Sequence, residues 1–244
     1  MPSWIGTAAR RGILTSSYPT DSASPEEVPE TARPPLPQPG AVPTTAAVEA
    51  CPTRAIDPTG VDQGRCIRCA RCLAHGLSFR GSTESSRTLR SALHEPTTGP
   101  AGASPLRELG RSLHIFLVDI GSCNACNLEV LALANPYYDL TREGLFFTNS
   151  PRHADVLLVV GVPTPEMIDP LRRAYEALPA PKAVVAVGAC PTSGGIFAEA
   201  PDLTPELSRI LPVDLYIPGC PPTPLAVLDG LLTLQGRART EAVG

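Results

Sequence analysis

The sequence predicts an α/β protein, built as a doubly wound parallel sheet that is preceded by a small cysteine-rich segment and proline-rich linkers. Three observations carry this expectation. Beyond residue 110, continuous apolar runs alternate with helical patterns that open on proline. The eight cysteines fall into two sets of four, Cys51, Cys66, Cys69 and Cys72, then Cys123, Cys126, Cys190 and Cys220. Proline and glycine, at 29 and 20 residues, gather in stretches that cannot pack as helix or central strand.

Length and charge narrow the function classes. A chain of 244 residues can hold one good-sized core or two small ones. Hydrophobic residues at 43% exclude wholesale disorder, and charged residues at 18% exclude a coiled coil. The net charge of −4 offers no basic footprint, so no nucleic-acid partner is expected. The longest apolar run, 154–162, is about half of the roughly 18 residues of a membrane-spanning helix and reads as a buried strand. Arg10 and Arg11 are followed by a polar, proline-broken stretch with no apolar core, so an export signal is not expected. The thiols should therefore sit in a reducing cytosol, where Cys-x-x-Cys spacing favours metal or redox chemistry over disulfides.

Taken in order, 1–47 is a tail and linker carrying Pro25, Pro29, Pro34, Pro35, Pro37, Pro39 and Pro43, and 48–80 is a compact cysteine-rich segment. A second linker, 81–110, is dominated by Ser, Thr, Gly and Pro; the main domain spans 111–236, and 237–244 is a tail. Strands are expected at 113–118, 146–148, 156–160, 183–187 and 215–217. The clearest helices are 165–178, with Met167, Ile168, Leu171, Ala174, Tyr175 and Leu178 at helical spacing, and 222–234. Alternating strands and helices imply a parallel sheet with both faces covered.

In the first cysteine set, Cys66-Ile-Arg-Cys69-Ala-Arg-Cys72 lets one loop supply three corners of an iron–sulfur cube. Cys51, followed by Pro52, supplies the fourth. In two-cluster ferredoxins the Cys before Pro serves the other cluster; here that second cluster has lost its ligands, and one complete set survives. The run from Cys51 to Cys72 resembles the second half of a ferredoxin. A four-cysteine zinc knuckle is the competing reading, but zinc sites usually come as two spaced Cys-x-x-Cys pairs. His75, with Cys51 available, reads as a loop histidine.

In the second set each motif tops a strand: Cys123-Asn-Ala-Cys126 after 113–118, Cys190 after 183–187 and Cys220 after 215–217. Carboxyl ends of parallel strands converge on one crevice, so ligands distant in sequence can meet there. Gly121, Gly188, Gly194, Gly195 and Gly219 beside the cysteines permit tight turns and close approach of backbone amides to sulfur.

The stretch 113–234 resembles the small subunit of nickel–iron hydrogenases and the homologous B subunit of complex I, the NADH:quinone oxidoreductase. Three ordered motifs carry the resemblance: Gly121-Ser-Cys123-Asn-Ala-Cys126-Asn-Leu-Glu129, Gly188-Ala-Cys190-Pro-Thr-Ser-Gly-Gly195, and Ile217-Pro-Gly-Cys220-Pro-Pro-Thr-Pro224. The complex I branch has two adjacent cysteines where this chain separates Cys123 and Cys126, so the separated form looks like a hydrogenase. The fused ferredoxin-like half further resembles membrane-associated, energy-converting hydrogenases related to the formate hydrogenlyase small subunit. The start, from Trp4 through Arg10-Arg11-Gly12 to Tyr18-Pro19, is similar to ferredoxin-type subunits of such complexes.

The resemblance implies a flavodoxin-like domain in which Cys123, Cys126, Cys190 and Cys220 hold one 4Fe-4S cluster against a large partner subunit. With the Cys51, Cys66, Cys69 and Cys72 cluster it implies two 4Fe-4S clusters in an electron-transferring oxidoreductase subunit. Expected partners are a hydrogenase large subunit or a complex I D-type homologue, membrane-arm subunits and a ferredoxin-type subunit, on the cytoplasmic side of a membrane. The alternative is a B-type subunit of a complex I-like NADH or ferredoxin:quinone oxidoreductase without nickel, bordering a quinone pocket. Glu129 has a family counterpart near the partner interface, which implies a role in proton movement or in clamping the cysteine loop; the plainer reading is a first-turn acid favoured by the helix dipole. Arg152 and His153 could border the quinone-side cavity in the alternative, and otherwise form an exposed loop.

Overall fold

The computed structural model describes residues 43–77 and 112–237 except 205, residues 106, 109 and 110, and the backbone of 35–37 and 79–81. The tail with Arg10 and Arg11, most of the 81–110 linker and residues 238–244 of the C-terminal tail lie outside the described residues.

The first segment starts before residue 48. Helix α1, Thr45–Ala50, is capped by Thr44, whose hydroxyl accepts from the Ala47 amide at 3.3 Å and donates to the His75 carbonyl at 3.2 Å. Cys51 ends the helix. A short hairpin pairs Ile56–Asp57 with Gly60–Val61, and a 3₁₀ turn covers Arg71–His75. Ala47, Ile56, Cys72 and Leu77 form its small core. The proline-rich Pro35–Pro37 makes an antiparallel pairing with Phe79–Gly81, at an edge where proline's missing N–H costs no central ladder bond.

The main domain is a five-stranded, all-parallel sheet. Its strands are β1 (Leu113–Asp119), β2 (Leu145–Phe147), β3 (Val156–Val160), β4 (Ala183–Val187) and β5 (Leu215–Ile217). The spatial order is β2-β1-β3-β4-β5, the flavodoxin-like order, with its topological switch point between β1 and β3. Helices α2 (Ala125–Ala132), α3 (Pro165–Ala177), α4 (Ala189–Ser193) and α5 (Pro224–Leu234) complete the winding.

Strand periodicity of two divides the core cleanly. Val156, Leu158, Val160, Val185, Val187 and Ile217 face Val130 of α2 and Leu225, Leu228 and Leu231 of α5. Leu157, Val159, Val184 and Ala186 face Leu171 of α3 with Leu207 and Leu211. Both faces are sealed, which is why these strands read as unbroken apolar runs. Each fully buried Leu or Val stabilises by about 1.5–3 kcal/mol relative to exposure.

Several expected boundaries move for local reasons. Helix α5 begins at Pro224 rather than 222, because Thr223 is its cap and accepts from the Ala226 amide at 3.3 Å. Strand β2 lies one residue earlier than expected and α3 ends at Ala177. Leu106, assigned to the linker, is buried in the main core, so the second domain reaches back beyond residue 111. Arg152 and His153 are exposed on the short Pro151–His153 turn, as the loop reading expected.

Candidate metal centres

Cys123, Cys190 and Cys220 follow the carboxyl ends of β1, β4 and β5, and Cys126 stands in the first turn of α2. Strand pairing continues into these loops: the Gly188 amide donates to the Ile217 carbonyl and the Ala189 amide to the Gly219 carbonyl, each at 2.8 Å. The β1 loop is clamped by Asp119. Its Oδ1 accepts from the Gly121 and Ser122 amides at 2.9 and 2.8 Å, and its Oδ2 from Ser122 Oγ and Asn127 Nδ2, both at 2.6 Å. Burial pushes the Asp119 pKa up, but these bonds outweigh it and hold the carboxyl below its ordinary range.

The convergence of the thiols is visible in two ways. A Cβ added to Gly188, at φ +95°, would stand 2.8 Å from Cys126 Sγ, so the α2 thiol reaches across to the β4 loop. Cys126 also faces the charges of Cys190, Cys220 and Cys123 together. Burial first, then those thiols, push its pKa up to about 12; the same causes raise Cys190 to about 11. Close approach at the switch point relies on Gly161, φ +91°, where a Cβ would meet the Gly121 carbonyl carbon at 2.6 Å. Gly161 was not singled out from sequence, because nothing in its own neighbourhood announces the contact.

The first set surrounds one cleft, lined by Cys51, Cys66, Cys69 and Cys72 with Ile56, Val61 and Ile67. Cys51 Sγ accepts from the Ala55 amide at 3.2 Å. Burial is the largest cause of the raised pKa of Cys66 and Cys72, and both feel Cys51 as a further negative neighbour. Arg68 and Ala70, between these cysteines, hold left-handed φ of +57° and +60°. Non-glycine residues adopt that conformation at a cost on the order of 1–2 kcal/mol each, and do so where surroundings impose it.

All eight cysteines are free thiols. Among the described residues no group of three or more His, Cys, Asp or Glu takes the geometry of a single-metal site. What the chain offers is four thiols gathered in each set, crowded against one another and partly buried. That chemistry fits a polynuclear iron–sulfur group, whose iron would neutralise thiolates that burial otherwise opposes.

The two sets adjoin. Arg68 Nη2 donates to the Pro218 carbonyl at 2.8 Å, and Ser193 Oγ donates to the Gly64 carbonyl at 2.9 Å. These bonds join the Cys66 loop to the Cys220 and Cys190 loops. An exposed ion pair, Arg54 to Glu199 at 2.7 Å, spans the same junction. Arg68 and Ser193 escaped the sequence reading, since their partners are backbone carbonyls more than a hundred residues away.

The hydrogen bonds that clamp the cysteine loop run through Asp119 and Asn127, and the role of Glu129 stays a proposal. Glu129 stands in the second turn of α2, so the first-turn dipole reading does not hold, and burial raises its pKa. His75 is partly buried in the 3₁₀ turn and takes part through its carbonyl. On the outer face of α2, the helix that follows the exposed Cys123, Leu128 and Leu131 are 61% and 56% exposed.

Comparison with known proteins places the stretch 123–234 in a family. A family model described as the NADH ubiquinone oxidoreductase 20 kDa subunit matches residues 123–234. A probable membrane-bound hydrogenase subunit of Pyrococcus furiosus is 48% identical over 124 residues, covering 51% of this chain and 74% of that protein. Formate hydrogenlyase subunit 7 of Escherichia coli is 44% identical over 134 residues, covering 55% of this chain and 52% of that protein. Among solved structures, a chain of a membrane-bound sulfane sulfur reductase, an archaeal respiratory membrane complex, is 38% identical with a TM-score of 0.47, over 53% of this chain and 71% of that one.

Proposed function

From the premise that the chain belongs to the NADH ubiquinone oxidoreductase 20 kDa subunit family, we propose that it is the electron-carrying iron–sulfur subunit of a membrane-bound, hydrogenase-type complex. Cys51, Cys66, Cys69 and Cys72 would hold one 4Fe-4S cluster and Cys123, Cys126, Cys190 and Cys220 a second. Bound there, such clusters supply one-electron carriage. The chain's own residues do the rest: burial and backbone amides tune the thiolates, and the docked loops keep the two sets side by side.

The observation that carries this reading is the direct junction of two four-thiol sets, one at the sheet's carboxyl edge and one in the segment docked on it. Electrons would pass between an external donor or acceptor, the Cys51 set, the Cys123 set and an active site on a large partner subunit. Leu128 and Leu131 on the helix after Cys123 supply an apolar surface for that partner. Among the described residues no helix is long and apolar enough to cross a membrane. We assign attachment, on the cytoplasmic side, to partner subunits, in keeping with the membrane-bound complex named for the Pyrococcus relative.

Metal analysis of the complex, purified anaerobically with everything that accompanies the chain, tests the proposal. Two clusters' worth of iron per copy with stoichiometric nickel is the expected result. Iron without nickel would move the reading to quinone or ferredoxin chemistry of the complex I type, and absence of iron would end it.

A further inference from the structure

Arg68 stands where the two cysteine sets meet. It lies two residues after Cys66, and the carbonyl it bonds, that of Pro218, lies two residues before Cys220. The hydrogen bond of 2.8 Å therefore closes a short route, Cys66-Ile67-Arg68 to Pro218-Gly219-Cys220, between residues otherwise about 150 positions apart. The left-handed backbone at Arg68 is the local distortion that accompanies this reach.

Charge singles it out further. The guanidinium acts on Cys66 in one set and on Cys220 in the other. The other groups acting on these two thiols, Cys51 and Cys72 on Cys66 and Cys123 on Cys220, are negative when ionised. A guanidinium keeps its charge throughout the physiological range, and a planar fork can hold one carbonyl while facing two anionic groups.

We propose that Arg68 is a positioning residue shared by both clusters, one that fixes the Cys66 and Cys220 loops against each other and raises both reduction potentials together. This rests on the iron–sulfur reading above. Each cluster gains one negative charge on reduction, so a fixed cation nearby favours the reduced form of both. Ser193, bonded to Gly64, holds the same junction without a charge.

The test is a potentiometric titration of the purified complex followed by electron paramagnetic resonance, with iron counted in each sample. Arg68→Gln should keep its iron and show both cluster signals displaced to lower potential. Arg68→Lys, which keeps the positive charge, should return both towards the wild-type values. Wild-type potentials in an iron-replete Arg68→Gln complex, or displacement of one signal alone, would overturn the proposal. If Arg68→Gln fails to assemble, Arg68→Lys decides: wild-type potentials support the role of charge, and a fall in both with the charge retained overturns it. Wild-type protein lacking two clusters would instead remove the underlying reading, an outcome the iron count distinguishes.

Discussion

Gly188 illustrates how finely the second cysteine set is fitted. Its φ of +95° is strained for any L side chain, and the space a Cβ would fill is already occupied by Cys126 Sγ at 2.8 Å. Gly188→Ala should therefore push the Cys126 thiol out of place. The expected outcome is loss of about half of the bound iron, with the Cys51-set signal retained; full iron content would show that the loop can yield. Glu129 belongs to the same scale. Burial lifts its carboxyl above the ordinary 4.5, so the folded chain holds that proton more tightly than the unfolded one. Its contribution to stability is complete below about 4.5 and is lost as pH rises through the raised value. Glu129→Gln should melt higher than wild type above that window and together with it below, which a series of thermal melts across pH reads directly. If the carboxyl also carries protons, the same variant lowers turnover of the complex; unchanged turnover removes that role.

At the scale of elements, α5 is the buried helix that seals one face of the sheet, and Gly230 sets how closely it lies. A Cβ there would meet Ile217 Cδ1 at 2.6 Å and Cγ1 at 2.9 Å, and Ile217 is fully buried. Two effects compete in Gly230→Ala. Helix propensity favours alanine by up to about 1 kcal/mol, whereas overpacking a closed core costs about 1–3 kcal/mol. The second should win, with a net loss on the order of 1 kcal/mol and a lower melting temperature; a higher one would show that α5 and β5 can separate freely. Helix α2 shows the opposite case. Leu128 and Leu131 face outward, so the helix lacks a clean apolar stripe, and periodicity gave no clear signal for it.

For the molecule as a whole, the two units differ in what holds them together. The main domain has apolar layers on both sheet faces, while residues 43–77 share only the small core of Ala47, Ile56, Cys72 and Leu77. Segments below about 40 residues usually need metal or disulfides to stay folded, and these thiols are free. Removing iron with a chelator under reducing, anaerobic conditions should expose 43–77 to limited proteolysis first, with 113–234 still protected. Equal resistance before and after chelation would show that docking through Arg68, Ser193 and the Arg54–Glu199 pair suffices.

The strands of the main domain and the grouping of the cysteines were legible in the sequence because both are local signals: a doubly buried strand is a continuous apolar run, and ligand loops keep short fixed spacings. Family motifs at Cys123, Cys190 and Cys220 added the order in which they meet. The flavodoxin-like strand order, which the family resemblance implied, is the one observed; what tertiary structure alone decided is the reach of Cys126 to Gly188, the packing of Gly161 on Gly121 and the Arg68–Pro218 junction. Each depends on contacts between segments far apart in the chain, often through backbone atoms, which carry no residue-specific mark in the sequence.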